Sequence, residues 1–197
     1  MLLSDIDIVA RFVDPDNDRR IILTPLIDPV AQIGPSSVDV RLGIGFKIPV
    51  TSHVPSIDPY TQQSAAARYM RAVDLPVGSQ FYLHPGEFVL AATLEYVHVP
   101  YDLGCRLEGR SSWARLGLLV HATAGAIDPG YSGNLTFELY NAGRLPIQLK
   151  PGSRMAQLSF IQLTGRPKIP YDVRPESKYN QLLEAQGSRI WNDKAKA

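Results

Sequence analysis

The sequence predicts a mainly β protein, either a closed barrel or two packed antiparallel sheets, with an N-terminal helix and few other short helices. Sixteen prolines and fifteen glycines separate short apolar segments from one another, which is typical of many strands joined by turns. Several segments alternate apolar and polar residues, whereas the first twelve residues have helical spacing. At 197 residues we expect a single domain, 1–197, with a substantial core.

The composition argues against several classes of function. A formal net charge of +1 gives no sign of a nucleic-acid-binding surface. No apolar run approaches the ~20 residues that span a membrane, and no signal-peptide pattern opens the chain. The single cysteine, Cys105, excludes an internal disulfide and is expected to be a small core residue. We therefore expect a cytoplasmic protein without nucleic-acid or membrane partners.

The N-terminal helix is predicted over Met1–Phe12. Ser4 is a good N-cap, and Asp7 occupies the capping-box position three residues later. The apolar stripe of this helix is expected to consist of Ile6, Ile8, Val9 and Phe12.

The next segments predict strands and an insertion. Arg20–Leu26 and Ser37–Leu42 are expected to be strands. In the second, Asp39 and Arg41 share a polar face, which predicts either solvent exposure or a cross-strand ion pair of little energetic value. Residues 51–80 predict a loop or hairpin insertion with a short helix near Ala65–Arg71.

The second half of the chain predicts further strands joined by turns. Phe81–Phe88 reads as strand, turn and strand, and the second strand continues through an apolar stretch to Val99. A turn at Asn141–Arg144 precedes the strands Leu145–Leu149 and Met155–Leu163. From Gly165 onward the chain is polar and irregular, as is typical of a frayed terminus.

A serine- and arginine-rich segment near the middle of the chain could bind an anion. Ser111 and Ser112 are good N-cap residues and Gly117 suits a helix end, so Ser112–Leu116 predicts one or two helical turns. Amide groups at a helix start attract phosphate, and Arg110 and Arg115 carry guanidinium groups that match phosphate or carboxylate. From these residues alone, a capped surface turn with two solvated arginines fits equally well.

A second segment combines a tight turn with a strand. Asp128-Pro129-Gly130 is turn chemistry. In the strand that follows, Leu135, Phe137 and Leu139 alternate with polar or amphipathic residues, so Glu138 lies opposite the apolar face. On this strand alone, an ordinary solvent-facing carboxylate is the simpler interpretation of Glu138.

Together these segments resemble the dCTP deaminase family, which shares its fold with trimeric dUTP diphosphatases. The similar motifs are GRSS at 109–112 with Arg115, TAGAIDPGY at 123–131 and LTFEL at 135–139. Further similar blocks are PSSVDVRLG at 35–43, LHPGEF at 83–88 and SKY at 177–179, in the order and spacing of the family. The resemblance implies a distorted jelly-roll-like β barrel of the dUTPase type, a homotrimer with shared sites, and a polar tail, 165–197, that closes over the nucleotide.

The reaction implied by the resemblance is hydrolytic deamination of dCTP to dUTP and ammonia. A zinc deaminase signature, H-x-E…P-C-x-x-C, is impossible with one cysteine and four scattered histidines. The resemblance assigns Glu138 as the general acid and base, Ser111 as the residue that orients the water, and Arg115 as the balancing cation. Mg²⁺ would be bound through the triphosphate, no zinc is implied, and no residue is assigned as a metal ligand.

The resemblance also implies the groups that bind the rest of the substrate. Triphosphate contacts are expected from Arg110, Ser111, Ser112, Tyr171 and Lys178. Asp128 would accept a hydrogen bond from the sugar 3′-hydroxyl, and backbone carbonyls at Ala122–Ala124 would read the exocyclic amine. The backbone of Thr136 and Phe137 would lie near the deoxyribose and base.

The family divides into enzymes that stop at dUTP and enzymes that continue to dUMP and diphosphate. The first group typically has His-Arg after Thr-Ala, whereas Gly125-Ala126 follows Thr123-Ala124 here. The second group has a glutamine where Gln157 stands. Both features favour the dUMP-forming branch, with Gly125 leaving room for a water near the α-phosphate, although a glycine that only fits the turn is an alternative.

Two positions depart from the family pattern. Leu182 stands where a glutamine usually follows the tail lysine, and Trp113, which replaces a commoner leucine, is expected to change packing only. The family suggests inhibition by dTTP and a role in supplying dUMP for dTMP synthesis. A deaminase that stops at dUTP, a dUTP diphosphatase and a non-catalytic jelly-roll protein are the alternatives.

Overall fold

The structure, a computed structural model, describes residues 1–50, 56–59, 69–76 and 78–192. The described part is mainly β, with three helices and twelve strands, and confirms the predicted fold class. The helices are α1 Asp5–Phe12, α2 Pro29–Gln32 and α3 Ser111–Ala114, and a 3₁₀ turn covers Ile190–Asn192. The strands are β1 Ile22–Thr24, β2 Ile33–Gly34, β3 Ser37–Pro49, β4 Met70–Asp74, β5 Phe81–Leu83, β6 Phe88–His98, β7 Leu103–Gly109, β8 Leu118–Leu119, β9 Ala126–Ile127, β10 Ser132–Asn141, β11 Ile147–Leu149 and β12 Arg154–Gln162.

A ten-stranded antiparallel sheet forms most of the molecule. Its strand order is β8-β10-β6-β3-β12-β7-β9, with β1 on β6 and with β2 and β4 on β3. Strand β3 joins two halves of this sheet, because its first residues pair with β12 and its later residues pair with β6 and β4. A second sheet contains β5 and β11. None of the helices in the described ranges has the length and apolar character needed to cross a membrane.

The apolar core lies against one face of each long strand. In β10, Leu135, Phe137 and Leu139 are buried while Thr136 and Glu138 are partly exposed, as the alternation predicts. Cys105 is buried in the same core, and burial raises the pKa of its thiol, which agrees with the predicted packing role.

Helix α1 confirms the predicted capping box but not the predicted stripe. The Asp7 amide donates to Ser4 Oγ at 3.3 Å, and the Ser4 amide donates to Asp7 Oδ2 at 3.2 Å. The helix begins at Asp5, because the cap ends the extended segment that precedes it. Ile8 is fully buried, whereas Ile6 is 77% exposed and Val9 is 46% exposed, so α1 turns a narrower face to the sheet than the stripe predicted.

Several predicted boundaries differ from the structure. The strand expected at Arg20–Leu26 is limited to β1, which pairs with β6 over three residues. The helix expected near Ala65–Arg71 is wrong at Met70 and Arg71, which belong to β4 and pair with β3. The rest of that prediction lies outside the described residues. The two-residue strands β2, β8 and β9 are too short to produce an alternating pattern.

The buried amide of Asn141 connects the two sheets. Its Nδ2 donates to the carbonyls of Leu83 and Leu145 at 2.8 and 2.9 Å, and its Oδ1 accepts from the Gly143 amide at 2.8 Å. The side chain therefore fixes the end of β10 against β5 and against the turn that leads to β11. The sequence predicted Asn141 only as part of a turn, whereas in the structure its side chain is fully buried and joins the two sheets.

Replacing Asn141 with alanine should lower the free energy of unfolding by about 2–4 kcal/mol, because three backbone groups lose the partner that a fully buried side chain provides. Urea denaturation would measure the loss. Asn17→Ala, at an exposed turn position, is the matched control and should change stability by less than about 0.5 kcal/mol. Equal, small effects of both substitutions would show that Asn141 does not hold the sheets together.

Candidate active site

Glu138 is held at a fixed position by β10 and by the loop that follows β8. Its backbone amide donates to the Val120 carbonyl at 2.9 Å, and its Oε2 accepts from the Ala122 amide at 2.8 Å. Among the described residues, Oε1 receives no hydrogen bond. One carboxylate oxygen is therefore anchored, and the other is available to a ligand or water.

The loop 121–125 is packed closely against β7. The Gly125 carbonyl accepts from the Leu107 amide at 2.8 Å. A Cβ at Gly125 would lie 2.9 Å from the Leu107 carbonyl oxygen and 3.3 Å from the His121 ring. The His121 Nε2 lies 3.6 Å from Glu108 Oε2, which adds a contact to β7 when His121 is protonated. These contacts fix the backbone that presents the Ala122 amide to Glu138.

Helix α3 begins one residue earlier than the sequence predicted. Arg110 is the N-cap, in extended conformation and without a side-chain capping bond, so the assignment of Ser111 or Ser112 as the cap was wrong. Arg110 is extended because it continues directly from β7. Ser111 and Ser112 consequently occupy the first helical turn with exposed side chains, and Gly117 has the predicted left-handed φ of +89°.

A buried ion-pair cluster fixes the start of α3. Asp39 Oδ2 lies 3.1 Å from Arg110 Nε and 3.1 Å from Arg154 NH1. Burial raises the pKa of the Asp39 carboxyl, and the positive charges of Arg110 and Arg154 oppose that rise. The predicted phosphate-binding Arg110 is thus tied to a carboxylate in this chain.

The polar face of Asp39 and Arg41 is buried, so the predicted solvent exposure is wrong, whereas the alternative of ion pairs across strands is confirmed. Arg41 pairs with Glu95 at 3.6 Å, and its backbone amide donates to Glu95 Oε2 at 2.7 Å. Gln32 donates to Glu95 Oε1 at 3.1 Å. Burial raises the pKa of Glu95, and hydrogen bonds from Arg41 oppose the rise. Sequence reasoning missed this network, although a glutamate within the apolar β6 was a signal of a buried partner.

Trp113 does more than the packing that the sequence suggested. Its indole Nε1 donates to the Arg154 carbonyl at 2.8 Å, and Arg110 NH1 donates to the same carbonyl at 3.2 Å. Both bonds join α3 to β12. A leucine at Trp113 would lack this donor.

The other predicted substrate-binding residues lie on β10, on β12, in the segments between β8 and β10, and in the tail. Gln157 on β12 pairs with Asp39 of β3 on one side and with Glu108 of β7 on the other. Its Nε2 donates to Ser37 Oγ at 3.3 Å. The Phe137 side chain is fully buried, so only its backbone is accessible. Ala124 and Asp128 are exposed.

The described part of the C-terminal tail, 165–192, is bonded to β10 and to the turn before it, so a frayed end is not what this part forms. The Tyr171 amide donates to the Pro129 carbonyl at 2.8 Å, and the Tyr171 hydroxyl accepts from the Tyr179 amide at 3.1 Å. Leu182 forms a parallel bridge with Gly133. The Ser132 amide of β10 donates to Asn180 Oδ1, and the Gln186 amide donates to Thr136 Oγ1. Within the tail, the Lys178 carbonyl accepts from Arg189.

The chain brings the predicted residues together in two groups. One contains Glu138 and the 121–125 loop, and the other contains α3 with its Asp39 anchor. Across the described ranges, no hydrogen bond or ion pair joins Glu138 to Ser111 or to Arg115. A complete constellation of all three residues is therefore not formed by bonds within one chain.

Comparison with known proteins identifies the family. A family model described as dCTP deaminase-like matches residues 3–163. The chain belongs to the dCTP deaminase-like family. The predicted resemblance is therefore confirmed over most of the sequence.

Relatives of nearly equal similarity carry two different names. A protein of Halobacterium salinarum named dCTP deaminase, dUMP-forming, is 44% identical over 194 residues, covering 98% of this chain and 97% of the relative. A dCTP deaminase of Pectobacterium atrosepticum is 43% identical over 198 residues, covering 98% of this chain and the whole relative. Overall identity therefore does not separate the two names.

The fold is also that of a solved family member. The crystal structure of 2′-deoxycytidine 5′-triphosphate deaminase from Agrobacterium tumefaciens matches with a TM-score of 0.60 and 26% identity, over 81% of this chain. This chain spans about half of the Agrobacterium protein, since 47% of that protein is covered.

Gly125 is the residue that the resemblance associates with the dUMP-forming branch. Its φ is not left-handed, so the turn itself does not require glycine. The requirement is the close approach of the Leu107 carbonyl oxygen, which leaves no space for a Cβ. A side chain at position 125 of this chain would therefore require a different path for the loop.

Gly125→Ala should displace the 121–125 loop and lower the melting temperature by several degrees, because the new Cβ meets a backbone oxygen. Gly165→Ala is the matched control, since a Cβ there meets no atom within 4 Å. That control should leave the melting temperature within about 2 °C or raise it slightly. Equal melting temperatures for the two variants would contradict the close packing of Gly125.

Proposed function

We propose that this protein hydrolyses dCTP to dUTP and ammonia and continues to dUMP and diphosphate. The observation that carries the proposal is the fixed Glu138 carboxylate, with Oε2 bound to the Ala122 amide at 2.8 Å and Oε1 open to a ligand. A carboxylate fixed by one oxygen can exchange protons through the other without moving. The names of the relatives from Halobacterium and Pectobacterium support the same substrate.

In the first reaction, water attacks C4 of the cytosine ring. Glu138 takes one proton from the attacking water and passes it to N3, and then takes the proton of the new C4 hydroxyl and passes it to the departing amino group. The C4–N bond breaks, ammonia leaves, and the C4 carbonyl of uracil forms. General acid and base catalysis of this kind contributes about 10²–10⁴-fold to a rate.

Ser111 and Arg115 are proposed to complete the site from a neighbouring subunit of a homotrimer. Their exposed side chains at the start and end of α3 support this arrangement, because exposure leaves them accessible to a second chain. Ser111 would orient the water, and the Arg115 guanidinium would offset negative charge near Glu138.

The remaining contacts follow the chemistry of the nucleotide. Backbone carbonyls at Ala122–Ala124 would accept from the exocyclic amine, and Asp128 would accept from the 3′-hydroxyl. The buried Phe137 side chain supports a backbone role for Thr136 and Phe137 beside the sugar and base. Proposed triphosphate contacts come from Arg110, Ser111, Ser112, Tyr171 and Lys178, with the tail closing over the nucleotide.

Mg²⁺ is proposed to bind through the triphosphate. In the part of the chain that the structure describes, no three His, Cys, Asp or Glu side chains converge to hold a metal ion. Mg²⁺ commonly keeps several waters and binds substrate phosphates with few protein ligands. The ion would neutralise phosphate charge while the side chains described above orient the base.

The second reaction is proposed from Gly125 and Gln157. Water would attack the α-phosphorus of dUTP, the bond to the bridging oxygen would break, and diphosphate would leave. The name of the relative from Halobacterium, dCTP deaminase, dUMP-forming, supports this step. The dUMP would serve dTMP synthesis in the cytoplasm, and dTTP is the proposed inhibitor.

Glu138→Gln should abolish ammonia release from dCTP while leaving nucleotide binding within a few-fold, because the amide keeps the shape but cannot exchange the proton. Ammonia release and calorimetric binding would measure the two effects. Glu184→Gln, an isosteric change of an exposed tail glutamate, should leave the rate nearly unchanged. Absence of ammonia from the unmodified protein with dCTP and Mg²⁺ would refute the proposed function.

The products of complete turnover should be dUMP and diphosphate, with little dUTP accumulating. Phosphorus NMR of a reaction started with dCTP would resolve both products. A parallel reaction started with dUTP tests the second step alone and should give the same products. Stoichiometric dUTP and ammonia would instead place the protein in the branch that stops at dUTP.

A further inference from the structure

An open cleft lies beside the start of α3, next to the proposed triphosphate residues. Its lining residues are Arg110, Ser112, Trp113, Leu116, Ser153 and Arg154. None of these six is acidic, and they include two guanidinium and two hydroxyl side chains. The surface therefore has the chemistry of a phosphate site.

The charge balance around the cleft is positive. Asp39, behind the cleft, is shared between Arg110 and Arg154 at 3.1 Å from each. One carboxylate thus faces two guanidinium groups, which leaves about one positive charge for a ligand. Because Asp39 is buried, its carboxylate orients both arginines from behind the cleft and does not line it.

Arg154 is held in place by contacts that leave part of its guanidinium available. Its NH1 donates to the Ala31 carbonyl and to Asp39 Oδ2. Within the described ranges, its Nε and NH2 have no hydrogen-bond acceptor, and a third of the side chain (33%) is exposed. A guanidinium oriented before the ligand arrives loses less entropy on binding.

The tail offers fewer donors to phosphate than the family pattern would provide. Leu182 cannot donate through its side chain, and its carbonyl accepts from the Asn134 amide at 2.8 Å. Gly133 leaves room for this contact, since a Cβ there would lie 2.8 Å from the Leu182 carbonyl oxygen. Position 182 therefore connects the tail to β10 through its backbone.

We propose that Arg154 is a further substrate-binding residue and that it binds the terminal phosphate of the nucleoside triphosphate beside Arg110 and Ser112. The inference rests on the proposed function, because it assigns a residue to the same nucleotide. The Leu182 side chain has no hydrogen-bond donor for phosphate, and Arg154 supplies such a donor from the start of β12. The Nε and NH2 edge of a guanidinium suits two phosphate oxygens at once.

The test uses the full-length Glu138→Gln protein, which binds nucleotide without consuming it, with and without Arg154→Met. Calorimetry with Mg²⁺ would give dissociation constants for dCTP and for dCDP. Arg154→Met should weaken dCTP binding about tenfold or more, as expected for loss of a charge-assisted contact. Binding of dCDP should change less than about twofold, because dCDP lacks the terminal phosphate.

Arg71→Met is the matched control for loss of one positive charge. Arg71 pairs with Ile48 on β3, about 30 Å along the strand from Asp39, and its substitution should leave both dissociation constants unchanged. Arg154→Lys keeps the positive charge and the pairing with Asp39 but replaces the guanidinium with a single ammonium group. This variant should give an intermediate loss of affinity for dCTP and no loss for dCDP. This variant also serves if Arg154→Met does not fold.

Three results would overturn the inference. Equal weakening of dCTP and dCDP would assign Arg154 a structural role through Asp39, and unchanged dCTP binding would exclude a contact. Loss of dCTP binding in Arg71→Met of the same size would indicate a general charge effect. If the unmodified protein releases ammonia from dCTP while any of these results is found, the proposed function stands and only the role of Arg154 fails.

Discussion

The buried carboxylate of Asp39 is the interaction on which the geometry around α3 depends. A buried charge is costly unless it is paired and hydrogen-bonded, and Asp39 meets this requirement with Arg110 and Arg154. Because Arg110 precedes α3 and Arg154 begins β12, neutralising one carboxylate also fixes a helix to a strand. The Trp113 indole strengthens the same junction through the Arg154 carbonyl. The exposed serines of α3 therefore stand on a rigid support.

A second buried network extends this support toward Glu138. Strands β10, β6, β3 and β12 are consecutive in the large sheet. Glu95 on β6 binds Arg41 on β3 and Gln32 at the end of α2, so the central pair of strands is joined by side chains as well as by the backbone ladder. Glu138 lies on β10, and Asp39, which anchors α3, lies on β3. The same sheet, joined by these side-chain bonds, therefore supports both Glu138 and α3. Preorganised groups of this kind need little rearrangement when charge develops during a reaction.

Local chemistry explains which parts were predictable from the sequence. The Ser4 capping box, the alternation of β10 and the Asp128 turn depend on residues a few positions apart, and all three are confirmed. The burial of Asp39 and its partners, Arg110 and Arg154, were not predicted, because both arginines are distant in sequence and reach Asp39 only through the pairing of β12 with β3 and β7. The same limitation concealed Glu95 and the Trp113 hydrogen bond. The roles of Ser111, Arg115 and Glu138 came from family resemblance, since no spacing rule brings a helix and a strand together.

A donor that binds the terminal phosphate can be placed either on the tail or at the start of β12. A donor on a tail must be brought to the nucleotide by closure, which costs conformational entropy each time. A donor at the start of β12 is already fixed by Asp39 and by the Ala31 carbonyl. In this chain the backbone of Leu182 pairs with β10, so the tail can be held closed by main-chain hydrogen bonds. A leucine is then acceptable at position 182, because closure and phosphate binding no longer depend on the same side chain.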